Sequence, residues 1–189
     1  IVAPGIVDPH THYDPQLTFE PYGTSSCYHG VTTVAAGNCG FSVAPTRASD
    51  RGSITQIFGR VEDMSPGSLA AIPWDFESFP EFVAARSGQL GINATFYVGH
   101  CNLRLWVMGE AAYEREATAD EVDRMRVLVR EAMQAGAAGL SSTHAPTHLD
   151  SLDRPVPSRL ASRSELEALV REVGRANGGS ISYLPYSSI

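Results

Sequence analysis

The chain has 189 residues, 14 of them basic and 21 acidic, for a formal charge of −7, and every basic side chain is Arg. That balance argues against a nucleic-acid or membrane-surface binder, and no apolar run approaches the ~20 residues of a membrane span. With 43% hydrophobic and 19% charged residues, no signal-peptide pattern and three widely spaced cysteines (Cys27, Cys39, Cys101), the expectation is a reduced, cytoplasmic, soluble globular protein. In chain order, residues 5–8 read as a first strand. Thr24 to His29 reads as a short helical turn closed by Gly30, and 31–36 as a second strand. Asp50 to Met64 and Phe79 to Arg86 are helix candidates, the latter with Pro80 at a tolerated early position. A third strand follows near 92–98. Thr118-Ala-Asp-Glu121 is a capping box opening a helix with Val122, Met125, Val129 and Met133 on one face, which should stop at Gly136. A fourth strand lies near 137–142. Ser162-Arg-Ser-Glu165 is a second capping box, followed by Leu166, Leu169, Val170 and Val173, and a fifth strand falls near 180–184. Ile1 already runs into a strand and the chain stops soon after another, so a fragment is expected.

Alternating β and α segments with non-alternating apolar strands point to a parallel sheet. Such a sheet is either doubly wound or part of a (β/α)8 barrel, and no Gly-rich dinucleotide or phosphate loop favours the first. A full barrel takes about 250 residues. The expected fold is therefore an incomplete (β/α)8 TIM barrel, roughly its first five β/α units. The long segments Gly40 to Gln89 and Thr143 to Leu160 would be βα loops on the active face.

Asp8-Pro9-His10-Thr11-His12 is the sharpest chemical feature. Residues i and i+2 of a strand share a face, so His10 and His12 can approach one metal, with imidazole nitrogens suited to Zn2+. Two histidines in a polar turn are the alternative. Cys39 follows the second strand at once, and neighbouring strand ends lie about 4.8 Å apart. A lone Cys is usually a small buried hydrophobe, but beside the His pair it becomes the third candidate ligand.

Pro4-Gly5-Ile6-Val7-Asp8-Pro9-His10-Thr11-His12 resembles the first-strand signature of the amidohydrolase superfamily. His29-Gly-Val-Thr-Thr33, Gly37-Asn-Cys-Gly-Phe-Ser42, Val98-Gly-His100, Val107-Met-Gly109 and Pro155-Val-Pro-Ser-Arg159 narrow the resemblance to its N-acyl-D-amino-acid deacylase (D-aminoacylase) branch. Ile6-Val7 departs from the aromatic-Ile pair usual in that motif. The resemblance implies that residues 1–189 are part of an amidohydrolase catalytic domain. It implies a hydrolase of non-peptide amide bonds that binds one or two Zn2+ and acts on a small N-acylated amino acid. His10, His12 and Cys39 match the ligand positions. Many superfamily members bridge two metals with a carboxylated Lys. This chain has no Lys, and a thiolate can supply the same charge. The catalytic Asp and two more His ligands would lie beyond residue 189, so no catalytic residue is assigned within the chain. The isolated chain is then expected to be nearly inactive.

Two alternatives stay open: a cyclic-amide hydrolase of hydantoinase or dihydroorotase type, and a non-catalytic half-barrel that needs a partner segment. Unpaired barrel edges lead to an expectation of self-association. His100, His148 and Arg159 are candidate substrate-binding residues, each with a structural alternative; for Arg159 that alternative is an ion pair holding its loop. His29 and His144 read as structural or exposed. Tyr13 and Asp14 shape the loop, and Trp74, Trp106 and Met108 pack. Glu114 to Glu116 and Asp120-Glu121 read as solvated charge.

Overall fold

The computed structural model describes residues 4–176 and 178–186, so the strand run-in expected at residues 1–3 lies outside it. Five strands form: β1 (Ile6–Asp8), β2 (Val31–Ala36), β3 (Asn93–Gly99), β4 (Gly139–Thr143) and β5 (Ser180–Leu184). Each pairs in parallel with the next, in the order β1-β2-β3-β4-β5. A doubly wound sheet reverses its order at a switch point, whereas winding without a skipped strand belongs to a barrel. The described strands make an arc of an incomplete (β/α)8 barrel, with β1 and β5 at its two edges.

The helices are α1 (Arg51–Val61), α2 (Pro66–Ala70), α3 (Phe79–Arg86), α4 (His100–Met108), α5 (Ala119–Gln134) and α6 (Arg163–Arg175). Most starts are written locally. In α5, Thr118 Oγ1 accepts the Glu121 N–H (3.3 Å) while Glu121 accepts the Thr118 N–H (2.8 Å). The chain leaves α5 through Gly136 at φ 96°. Glu121 also takes the Arg115 guanidinium in a two-pronged pair, both contacts 2.8 Å, so it is not the solvated charge expected. Ser78 and Glu81 form a second complete box at α3. A cap of this kind is worth about 1 kcal/mol. At α6 the box is half made: Ser162 Oγ accepts the Glu165 N–H (3.1 Å), but the Glu165 carboxylate turns into the core. Met125 and Val129 of α5 and Leu169 of α6 are fully sealed, and truncating Met125 to Ala would cost about 2–5 kcal/mol.

α4 is an addition to the expected elements. Its first six residues, His100 to Leu105, are all buried, so no polar face gives them a helical period. It begins where β3 ends, at Gly99, whose absent Cβ would lie 2.8 Å from Phe41 Cα. One turn in, Asn102 donates to the carbonyls of Ser42 (2.7 Å) and Pro45 (3.2 Å) and accepts the Ser42 N–H (2.9 Å). α4 thereby clamps the loop that leaves β2. No helix among the described residues is long and apolar enough to cross a membrane.

Candidate metal centre

β1 ends at Asp8, but its pairing with β2 reaches further: Thr11 N–H and Oγ1 both donate to Ala35 O at 2.9 Å. Thr11 is thus turned into the sheet, and His10 and His12 flank it on the other side with ring centroids 5.7 Å apart. His12 stacks on Phe41 (5.1 Å, interplanar angle 16°), whose other neighbours include the ring of Phe58.

Cys39 enters from the end of β2 in a left-handed conformation, φ 55°, which costs a non-glycine residue roughly 1–3 kcal/mol. Gly37 (φ 77°) permits it, since a Cβ there would sit 2.4 Å from Tyr97 O. Asn38 holds the turn. Its Nδ2 donates to Thr11 O (3.2 Å) and Ala35 O (3.0 Å), and its Oδ1 accepts from Ser182 Oγ of β5 (2.8 Å). Asp14, fully buried, accepts the Val43 N–H at 2.7 Å, tying the loop after β1 to the loop after β2. Burial, partly offset by that bond, pushes its carboxyl up to about 7.

The result is one cluster. Donor atoms of His10, His12 and Cys39 all lie within 4.8 Å of one another, with His10 Nε2 3.3 Å from Cys39 Sγ. Burial, then the neighbouring His10 and His148, lowers the His12 pKa to about 3, so its ring is neutral at pH 7. His12 Nδ1 is buried with no hydrogen-bond partner. Burial, with the charge of Glu62 beside it, pushes the Cys39 thiol up to about 12. Two imidazoles, one of them with an orphaned ring nitrogen, and a thiol fit a soft divalent cation. His10 and His12 open on a depression of about 320 Å3 lined also by Asp8, Thr11, Tyr13, Gln16, Glu62 and Met64. A larger groove, about 790 Å3, runs along α1 and α2 and meets this depression at Met64.

The other candidates separate. His100 does not reach the depression: it is the first residue of α4, fully sealed, with Nδ1 on Ser142 Oγ and Nε2 on Glu165 Oε1, both 2.9 Å. An imidazole with both nitrogens engaged has no face for a substrate. His148 is buried with its ring 6.0 Å from Phe41, and its Nδ1 has no partner. Arg159 donates to the carbonyls of Pro146 (3.0 Å) and His148 (3.3 Å), so it holds that loop through backbone oxygens rather than an ion pair. Glu62, one residue beyond α1, was not legible as a site residue. Its Oε1 lies 3.2 Å from His12 Nε2, yet Val61-Glu62-Asp63 reads as ordinary charge at a helix end.

The sequence matches the family model described as "Amidohydrolase family" over residues 1–180. It is 37% identical over 143 residues to a D-aminoacylase of Alcaligenes xylosoxydans xylosoxydans, covering 75% of this chain and 27% of that protein. An N-acyl-D-glutamate deacylase of the same organism is 31% identical over 185 residues, covering 94% and 32%. Among solved structures, a D-aminoacylase studied for its binuclear metal centre matches with a TM-score of 0.72 at 32% identity, covering 93% of this chain and 33% of that one. The N-acyl-D-glutamate deacylase of Bordetella bronchiseptica, complexed with zinc and a phosphonate inhibitor, matches with a TM-score of 0.70 at 30% identity, covering 90% and 32%. The chain spans about a third of the length of these relatives. A family model matched along nearly the whole sequence, over a parallel barrel arc of the same shape, leaves one assignment: the chain belongs to the amidohydrolase family.

Proposed function

We propose that residues 1–189 form part of the catalytic barrel of a zinc-dependent amide hydrolase whose substrates are N-acylated D-amino acids. The observation that carries this reading is the convergence of His10, His12 and Cys39 from two neighbouring strand ends to within 4.8 Å. Zinc in the Bordetella deacylase and the binuclear centre of D-aminoacylase support one or two divalent ions here. When bound, such an ion supplies Lewis acidity and lowers the pKa of water towards about 7. The chain's own residues do the rest of what can be assigned. His10 and His12 offer nitrogen lone pairs, burial keeping His12 unprotonated at neutral pH. Cys39, its Sγ 3.3 Å from His10 Nε2, would have to release its thiol proton to solvent on loading. Without a Lys in the chain, that thiolate is the anionic ligand. His148, against Phe41, forms the deep wall beside the centre, with Arg159 holding its loop. All three thiols are free, which suits a reducing, cytoplasmic setting. Ile6 and Val7 on β1 and Ile181 and Tyr183 on β5 are exposed, and we assign these two edges to pairing with a second copy.

Elemental analysis of chain purified without added metal tests the centre, with zinc near one per chain expected. Absence of zinc, or zinc unaffected by Cys39→Ala, would remove it. Hydrolysis of N-acetyl-D- against N-acetyl-L-amino acids, by the chain alone and co-expressed with the remaining two thirds of the D-aminoacylase relative, tests the reaction. Little turnover is expected alone, and D-selective turnover in the mixture. Opening of a cyclic amide instead would replace deacylation with the hydantoinase-type reaction. A clean monomer by light scattering would exclude pairing of copies.

A further inference from the structure

The groove along α1 and α2 has no task in the reading above. At about 790 Å3 it has far more room than an acetyl group takes up, and it shares Met64 with the depression that His10 and His12 line. One end of the groove therefore opens at the candidate centre.

Its walls follow from α1 and the turn after it. Ile54, Ile57 and Phe58 are sealed in the core, so the opposite face of the helix, with Gly52, Thr55 and Gly59, looks into the groove. A Cβ at Gly59 would meet only Leu69 Cδ1 at 3.7 Å and Met64 O at 3.8 Å, and one at Gly52 would meet nothing within 4 Å. Bare helix backbone is thus exposed at two points about 10 Å apart, the rise of seven residues. Met64 and Leu69 face it from the turn at Asp63 (φ 51°) and from α2. Trp74 closes the far end. It sits at φ 49°, where bulky side chains are rare, with the Arg51 guanidinium 5.3 Å from its ring centre and Arg51 Nη2 3.4 Å from its carbonyl.

An N-acylated amino acid has a carboxylate end and an acyl end, and the groove suits only one of them. Among its described lining residues the only cation is Arg51, at the Trp74 end and already 3.8 Å from Glu77, while Asp63 stands beside Met64 at the end nearer the centre. A carboxylate entering past Met64 meets a like charge. An aliphatic chain meets Met64, Leu69 and the small residues of α1. We propose that the groove is the acyl-chain subsite, taking straight acyl chains longer than acetyl while the amide stays at the depression beside His10 and His12. The inference rests on the deacylase reading of that centre.

Titration calorimetry of the zinc-loaded 189-residue chain with N-acetyl-, N-hexanoyl- and N-decanoyl-D-alanine tests it. Each added methylene should tighten binding about twofold, less than the roughly fourfold of full burial because the groove is open on one side. Hexanoyl should then bind about 15-fold tighter than acetyl, and decanoyl about 15-fold tighter again. Gly59→Gln fills the groove next to Met64 and should remove both gains. Gly52→Gln, about 10 Å further along, should cut decanoyl and spare hexanoyl. Both positions are helical, and Gln is the better helix former, so neither zinc content nor the thermal midpoint should fall. Equal affinity for the three compounds, whether tight or unmeasurable, would overturn the subsite and leave a zinc-bearing centre standing. So would a chain-length gain that survives Gly59→Gln, or a loss confined to Gly52→Gln. Decanoate binding as tightly as N-decanoyl-D-alanine would show a fatty-chain site unconnected to the centre, and would also overturn it. A chain that takes up no zinc would remove the centre, and the subsite with it, whatever the three compounds show.

Discussion

Two histidine–carboxylate clusters sit on this barrel arc, and they differ in a way that separates structure from chemistry. In the sealed one, Arg104 reaches both oxygens of Glu165, at 2.6 and 2.7 Å, and all three side chains of the His100–Glu165–Arg104 group are shut off from water. Burial pushes Glu165 upward, but the hydrogen bond from His100 and the neighbouring charges outweigh it and leave the carboxyl below its ordinary value. Burial lowers His100, so its ring is neutral, donating from Nε2 to Glu165 and accepting the Ser142 hydroxyl at Nδ1. Every charge in that group has a counter-charge. In the open cluster, His12 and Glu62 have one another and nothing more, a ring nitrogen is orphaned, and the thiol beside them is protonated. A charge-matched cluster, even with Arg104 Nε left unbonded, fixes helices to strands; an open one of N and S donors offers the donor set a divalent cation takes.

The contrast can be broken first at its sealed end. Glu165→Ala leaves Arg104 buried without its partner, and urea unfolding should show a loss of about 3–5 kcal/mol; a loss below 1 kcal/mol would mean the group is not structural. Cys39→Ala acts on the other cluster. It should weaken zinc about 100-fold, near 3 kcal/mol, in a chelator competition, with far less effect on unfolding. Glu121 is a half-way case, an acid at the start of α5 with full partners. Hydrogen bonds from Arg115 and then Thr118 hold its pKa at about 2, against 4.5 for the free group. Its stabilisation is complete above pH 4.5 and lost as pH falls through 2. Glu121→Gln should therefore cost about 1 kcal/mol at pH 7, and the two proteins should converge in acid. Smallest is Arg163→Ala: its pair with Glu167 is 2.8 Å long but Arg163 is 93% exposed, and a change within about 0.5 kcal/mol is expected.

Much of this was legible before folding, and for definite reasons. The five strands and the ends of α3 and α5 follow from apolar runs, N-caps and Gly136, all local signals. His10 and His12 were visible because alternation along an extended chain fixes which residues share a face, and Cys39 because neighbouring strand ends must meet. What escaped was set by tertiary burial. α4 has no polar face in its first six residues, so periodicity could not mark it. His100 followed a strand just as a site residue would, and only the approach of Glu165 from α6 shows it to be enclosed. Glu165 itself had a local explanation as a capping residue, which its backbone fulfils while its carboxylate does not. Glu62 reaches His12 across 50 residues of sequence, a separation that no motif spacing encodes.

Asn38 has a consequence beyond holding a turn. Its one amide grips the chain between the two histidines, at Thr11 O, and a hydroxyl 144 residues away on β5, at Ser182. It works as a tie rod across the mouth of the arc. The spacing of the donor atoms is thus set partly by how far β5 curls inward, and whatever leans on β5 shifts the distances among the three donors beside β1.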